Sequence, residues 1–354
     1  MARTNPAGTD AVTVPAAALN GFAREVFARS GMPAADAGTV ADVLVWANLR
    51  GVDSHGVMRM PQYVNLIEAG DLNPRPAITV GGETAAAVLI DTDRAAGPIA
   101  MSAAMQHALR KAGEAGIGMA FARATTHTAA LGYYTQSAAR SGMAAIALSG
   151  SIPMMAYHGA RAAGVSTSPI SIAVPARDRD PLVFDMGTGI VSMGRLNQAR
   201  KTGQPIPEGW ALDRNGNPTT DPKAVHVPLP MAGPKGSGLA LMIECIVSLI
   251  AGNPLLAERM EGTAYGKRHR QNGMAIAIDV ARFGDPERFR REVSRLIAAI
   301  KALPPAAGAD EVLVPGERGD RVQRQRGRDG IPLPRAIVDE LAALAVKLGV
   351  PMFA

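Results

Sequence analysis

Residues 50–60 read RGVDSHGVMRM and bring a hydroxyl, an imidazole and a guanidinium close together in the chain. His55 titrates near neutrality, which suits moving a proton to and from an alcohol oxygen. Ser54 can hydrogen-bond the ring or a substrate, and Arg59 can hold a carboxylate through two parallel N–H bonds. Gly56 leaves backbone room for a ligand. If the turn is helical, the spacing puts His55 and Arg59 on one side. Pro61 opposes that geometry at its far end, because its ring clashes with the carbonyl of Val57. A purely structural reading is equally open: Ser54 capping a helix, His55 exposed and Arg59 in a surface pair.

His127 lies in TTHTAALGYY, at a strand-to-helix turn of the kind where α/β folds place ligands. His158 sits in a loop with no supporting residues, and His107, His226 and His269 read as surface or satisfied core. Neither H-E-x-x-H nor a cysteine cluster is present, so no metal site is expected. GPKGSG at 233–238 is not a phosphate loop of the G-x-x-x-x-G-K-[ST] type. It nevertheless opens an apolar helix, whose first N–H groups and positive dipole end suit an anion. Lys235 there is either a contact to a cofactor phosphate or ribose, or an exposed lysine on a glycine-rich helix start. GTGIVSMG from Gly187 has the wrong spacing for the G-x-G-x-x-G fingerprint of Rossmann dinucleotide folds.

These residues need elements to hold them. Leu19, Phe22, Ala23, Val26 and Phe27 recur at helical spacing, as do Val40, Val43, Leu44 and Ala47 before Gly51. A third helix starts near Pro61 and carries Tyr63, Val64 and Ile67. The first 75 residues or so therefore read as helical. Short β-type runs follow: AITVG, AAVLID, GMAFARA, MAAIALS, ISIAVP, PLVFDM and MAIAIDV. Helical stretches at 98–114 and 131–141 lie between them, and ISIAVPARDRDPLVFDM reads as two strands joined by a polar turn, which predicts a mixed sheet. A helix over 285–303, with Phe289, Val293, Leu296 and Ile300 on one face, and AIVDELAALAVKL complete the pattern.

The 354 residues are 47% apolar and 19% charged, a globular composition with ample core. The net charge is +6, with much of the excess in Arg318, Arg321, Arg324, Arg326 and Arg328. A run without interleaved aromatics reads as a solvated segment rather than a nucleic-acid surface. Cys245 is the only cysteine, so no intrachain disulfide can form and a reducing compartment fits. It reads as a buried, inert thiol in GLALMIECIVSLIAG, a run too short to span a bilayer. The N-terminus MARTNPAGTDAV lacks the apolar core of an export signal, so the cytoplasm is expected, with no membrane partner.

Several segments together resemble one family, the non-Rossmann malate/L-lactate dehydrogenases, which are NAD(P)-dependent oxidoreductases. They are RGVDSHGVMRMPQYV (50–64), STSPISIAVP (166–175), PLVFDMGTG (181–189), WALDRNGNPTTDP (210–222), GPKGSGLALMIE (233–244), and VLVPGE with RDGIPLP (312–334). They are collinear and span most of the chain. The resemblance implies an α/β fold that is not Rossmann: a helical domain from residues 1–76 with 318–354, carrying the SHG loop, and a mixed-sheet cofactor domain from 77–317. It implies His55 as the proton donor or acceptor, assisted by Ser54, with His127 as a second acid/base candidate and Arg59 gripping the substrate carboxylate. Ser151, Asp185, Met186, Gly187, Lys235 and Glu317 would contact NAD or NADP. The implied reaction interconverts a small malate- or lactate-like 2-hydroxy acid and its 2-oxo acid by hydride transfer, in a homodimer. Alternatives are reduction of a sugar-derived 2-oxo acid or a cyclic imino acid, or a cofactor-binding homologue with altered chemistry. The family's S-N-H-[FY]-G is here TTHTA, its T-N-S is SGS at 149–151, and the residue after Gly194 is Arg195.

Overall fold

The computed structural model describes residues 11–263 and 271–353; His269 lies outside them. The chain opens with strand β1 (Ala11–Val14) and helices α1 (Ala16–Arg29) and α2 (Ala34–Leu49). Each helix follows a proline, Pro15 or Pro33, whose fixed φ aims the chain into the first turn. The residues of α1 at helical spacing are its buried face, and Val40, Val43, Leu44 and Ala47 are all buried in α2. Two 3-10 turns, Asp53–His55 and Val57–Arg59, then lead into α3 (Met60–Glu68).

The middle of the chain runs β2 (Thr79–Glu83), β3 (Ala87–Asp91), α4 (Gly97–Ala115), β4 (Ile117–Thr125), α5 (Gly132–Arg140) and β5 (Ala144–Ser151). A small ribbon, β6 (Met155–Ala156) with β7 (Ala163–Val165), precedes β8 (Ile170–Val174) and β9 (Leu182–Met186). Next come α6 (Met193–Thr202), a second ribbon of β10 (Ala211–Leu212) and β11 (Val227–Pro228), and α7 (Pro234–Glu244), which continues into a π turn at Cys245–Leu249. The last elements are α8 (Leu256–Glu261), β12 (Gln271–Ile278), α9 (Pro286–Lys301), α10 (Glu317–Asp329), β13 (Ile331–Pro334) and α11 (Arg335–Leu348).

Among the described residues, seven strands form one sheet in the order β2-β3-β4-β12-β5-β8-β9. Only β3 and β4 run parallel, joined through α4; every other neighbouring pair is antiparallel. A Rossmann sheet needs successive parallel strands, so this mixed sheet explains the missing glycine fingerprint. One face is covered by α4 and α5, whose buried residues join those of α1 and α2 in a continuous core with Val88, Ile90, Ala120 and Ala275. On the other face Ile243, Val247 and Ala251 pack on Phe121, Leu148 and Met274.

Four expectations need correction. The first 75 residues are not wholly helical, because β1 pairs with β13, Val12 opposite Leu333. That pairing ties the two ends of the chain together and leaves no local sequence signal. Helix α9 buries Ile297, while Leu296 of the expected face is 57% exposed. Cys245 is half-buried rather than enclosed, at the start of the π turn. The arginine run forms α10, with Arg318, Arg321, Arg324 and Arg328 exposed as expected of a solvated face; the exception is Arg326, which is buried.

Candidate active site

The loop around His55 is built by its neighbours rather than by a helix. Asn48, buried on α2, accepts a hydrogen bond from the Val57 N–H at 2.8 Å and donates to Asp53 at 2.7 Å. Gly56 is extended, with φ −90° and ψ −155°, and a Cβ there would stand 2.1 Å from Asn48 Oδ1. Asn48 thus requires a glycine at this position. The helix-cap reading of Ser54 also falls, since its Oγ lies 2.9 Å from His55 Nδ1 and neither 3-10 turn has a side-chain cap. Nor do His55 and Arg59 share a helical face, because the extended Gly56 separates their turns.

The structure brings the two histidines together from distant parts of the chain. Their rings stack at 5.5 Å between centroids, 22° from parallel. His127 follows β4, and its backbone is braced by Gly97 at the start of α4, where a Cβ would lie 2.2 Å from the His127 carbonyl oxygen. The loop is bracketed by Ala124 and Ala129, both in the left-handed region at φ 59° and 55°. Ala129 occupies the place of the glycine in S-N-H-[FY]-G and keeps the conformation that favours glycine. Thr128, in the place of the aromatic, is buried and its Oγ1 donates to Ser149 Oγ at 3.3 Å; Ser149 in turn donates to the Asn272 carbonyl at 3.1 Å. Small polar groups thus line the interior behind His127.

Arg59 Nε donates to the Ser54 carbonyl at 2.7 Å and Nη1 to Gln62 at 2.9 Å. Among the described residues no carboxylate lies within ion-pair distance of this half-buried guanidinium. Both histidines keep a solvent-facing side, yet the protein crowds them. Burial, then the Arg59 charge, push His55 down to about 4. Burial, His55 and Arg59 hold His127 well below the usual imidazole range. Burial also lowers the pKa of Arg59 itself. Unliganded, the site is therefore a pair of neutral imidazoles beside a fixed positive charge.

Of the remaining candidates, Asp185, Met186 and Gly187 lie at the C-terminal end of β9, while Ser151, Lys235 and Glu317 come from β5, α7 and α10. Asp185 Oδ2 accepts the Gly132 N–H at 2.7 Å, at the start of α5, the helix that follows the His127 loop. Burial raises the Asp185 carboxyl to about 6, against the Gly132 hydrogen bond and the Arg50 charge. Met186 pairs with Ile170 across β8, and Gly187 follows it, with the Thr167 carbonyl 3.3 Å from where its Cβ would be. Lys235 is exposed in the first turn of α7, and the next residue, Gly236, abuts the Thr188 carbonyl. Ser151 ends β5 opposite Gln271, whose side chain accepts the Thr128 N–H at 3.2 Å. Glu317 behaves differently. Burial opposes its ionisation, but hydrogen bonds from Lys301, the Val314 N–H and Arg321 outweigh that and hold it at about 2. Its carboxylate is committed to Lys301 at 2.6 Å and to Arg321.

A nicotinamide dinucleotide would need an anion site and hydroxyl partners near β9. The buried Thr188 Oγ1 has no hydrogen-bond partner among the described residues, and the Thr188 backbone joins Thr167 to Met231, three residues before the start of α7. A buried donor left unpaired costs free energy, so the residues present fit such a group. Among the described residues no cluster of His, Cys, Asp and Glu could hold a metal ion.

Two stacked imidazoles beside a guanidinium can exchange a proton and hold an anion at one place. Comparison with known proteins gives the family. Residues 14–342 match the family model described as malate/L-lactate dehydrogenase. Malate dehydrogenase of Pyrococcus horikoshii is 34% identical over 96% of each chain, and L-sulfolactate dehydrogenase of Methanocaldococcus jannaschii 35% identical over 92% of this chain and 94% of that one. The solved structure of the Pyrococcus horikoshii enzyme superposes with a TM-score of 0.90 at 31% identity, covering 99% of this chain and 100% of that one. The chain belongs to the malate/L-lactate dehydrogenase family. It is a nicotinamide-dependent dehydrogenase acting on the CH–OH group of donors.

Sequence reasoning missed Asn48, Tyr63 and Arg326. Asn48 carried a signal, a polar residue inside an apolar helix face; Tyr63 was indistinguishable from core, and Arg326 from the surface arginines around it.

Proposed function

We propose that the chain interconverts a small malate- or lactate-like 2-hydroxy acid and its 2-oxo acid, using NAD or NADP. The observation that carries this is Arg59, a half-buried cation with no acidic partner among the described residues, beside two stacked imidazoles. A substrate carboxylate on Arg59 gains charge-assisted hydrogen bonds and fixes the reacting carbon relative to the histidines. It also cancels the charge that depresses His55 and His127, so substrate binding itself raises their proton affinity. In reduction a histidine then gives its proton to the carbonyl oxygen; in oxidation it takes the hydroxyl proton. Ser54 orients His55 through Nδ1.

Ser151, Asp185, Met186, Gly187 and Lys235 are the residues we assign to the dinucleotide, with Glu317 bracing the start of α10 behind β9. Bound nicotinamide supplies the two-electron acceptor or donor. Residues 77–317 act as the cofactor-binding unit, and 1–76 with 318–354 as the helical unit that carries the His55 loop. The working form is a homodimer in the reducing cytoplasm. Exposed Leu241, Met242, Ile246, Leu249 and Ile250 on α7 and the π turn support the dimer, and the single free thiol supports the compartment.

The test is nicotinamide absorbance with NADH and with NADPH across a panel of 2-oxo acids and neutral ketones. Turnover confined to carboxylated substrates is expected. No turnover with any 2-oxo acid would sink the reading.

A further inference from the structure

Tyr63 is fully buried on α3, and its ring meets the His127 ring edge-on at 5.9 Å. Its hydroxyl oxygen stands 2.7 Å from the His127 carbonyl oxygen and 3.0 Å from His127 Nδ1. A phenol has one proton to give, and a carbonyl oxygen can only accept. The proton therefore goes to the carbonyl, along the shorter contact. The phenolic oxygen then presents lone pairs to Nδ1, and two lone pairs at that distance repel. Nδ1 of the neutral ring must carry the hydrogen, which leaves Nε2 bare.

We propose that Tyr63 is a positioning residue that fixes neutral His127 as its Nδ1–H tautomer, making Nε2 the atom that exchanges a proton with the substrate oxygen. In oxidation the O–H bond breaks and the proton passes to Nε2. The O–H electron pair becomes the second bond of C=O, while the C2–H pair leaves for the nicotinamide. Reduction reverses each transfer. The proton-transfer role rests on the function proposed above; the tautomer does not.

Three surroundings bear on this assignment. The Tyr63 ring is fully buried and packs on Phe27, tilted at 6.1 Å, which restricts movement of the hydroxyl. Burial raises the phenol's pKa, so it remains a neutral donor. Among the described residues, the ionisable and charged groups that face His127 are His55, Arg59 and Tyr63, and the Tyr134 hydroxyl donates to the next carbonyl, that of Thr128, at 2.8 Å. His55 has no such constraint, because the Ser54 hydroxyl can rotate to donate to Nδ1 or accept from it. Of the two stacked rings, only His127 has a tautomer set by a group that cannot rearrange.

The test is two-bond ¹⁵N–¹H NMR on the full chain labelled at histidine, with the His127 signals assigned by loss in His127→Gln. His127 should show a protonated Nδ1 and an unprotonated Nε2 at neutral pH. A protonated Nε2 in the wild-type protein overturns the proposal, and this reading needs no variant to fold. In Tyr63→Phe the buried Nδ1–H loses its acceptor, so the tautomer should move to Nε2–H. With it kcat should fall roughly 10- to 100-fold at little change in KM, as when a catalytic histidine is left in the wrong tautomer. Tyr63→Phe that keeps the Nδ1–H tautomer, or that loses it at full kcat, also overturns the proposal. An Nδ1–H wild type that reduces no 2-oxo acid would defeat the substrate reading and leave the tautomer assignment standing.

Discussion

Arg326 on α10 grips Asp53, two residues before His55, through two hydrogen bonds, Nη1 to Oδ1 at 2.7 Å and Nη2 to Oδ2 at 3.2 Å. The same guanidinium donates to the Asn48 carbonyl. Arg50, the residue that ends α2, lies 5.2 Å over the Trp46 ring and pairs with Asp320, also on α10. The His55 loop is thus clamped between α2 and a helix from the far end of the chain. Arg326→Ala should remove the two charge-assisted hydrogen bonds to Asp53 and the bond to the Asn48 carbonyl, while Asp53 keeps Asn48, and destabilise the fold by about 1.5–3 kcal/mol. Urea denaturation measures this, and a change below ~0.5 kcal/mol would mean the clamp carries no weight.

Arg59→Gln should raise the His55 pKa. Its charge is the second cause of the depression and burial the first, so the new value should lie between about 4 and the ordinary 6.5. The sign for stability follows. Below 6.5 the unfolded chain takes up a proton that folded His55 refuses, so acid erodes this contribution down to about 4. The window should narrow in Arg59→Gln. NMR titration of the His55 ring reads the first effect and pH-dependent denaturation the second.

Arg59→Lys removes the planar fork and keeps the charge. The Michaelis constant should rise roughly tenfold or more for 2-oxo acids. Neutral ketones should be little affected, and an equal loss on both would contradict carboxylate binding at this residue.

Gly97→Ala inserts a methyl against rigid backbone, the His127 carbonyl and Thr128 Cα, where nothing flexible can yield. It should cost about 1–3 kcal/mol as overpacking and lower kcat by displacing His127. Crystallography of the variant would show the loop shifted; an unmoved loop with full activity would refute the bracing role.

Ile250→Asp places a charge in the exposed apolar strip of the π turn. Light scattering should give a dimer for the wild type and a monomer for the variant. A monomeric wild type would remove the homodimer proposal.

How much of this was legible in the sequence follows from the range of the forces involved. The apolar faces of α1 and α2 and the strands β3 to β5, β8, β9 and β12 follow from local periodicity, because burial of one face imposes its period on neighbouring residues. Ser54, His55 and Arg59 were visible as chemistry in one short stretch, and collinear segments tied them to a family. The pairing of β1 with β13 was not legible, since backbone hydrogen bonds across the whole chain leave no mark on side-chain type. Nor was the packing of Gly56 against Asn48, which the sequence does not show.

By itself the sequence determined the chemical inventory: which residues can carry a proton, hold a carboxylate or open a helix toward an anion. Only the tertiary structure decided the arrangement. It stacked His127 on His55, placed the Tyr63 hydroxyl against Nδ1, turned the Glu317 carboxylate toward Lys301 and Arg321, and left Arg59 beside the histidines without an acid. The meeting of His127 with His55 and Tyr63 depends on distances between segments separated by more than sixty residues, which close packing of a shared core sets and no local pattern encodes.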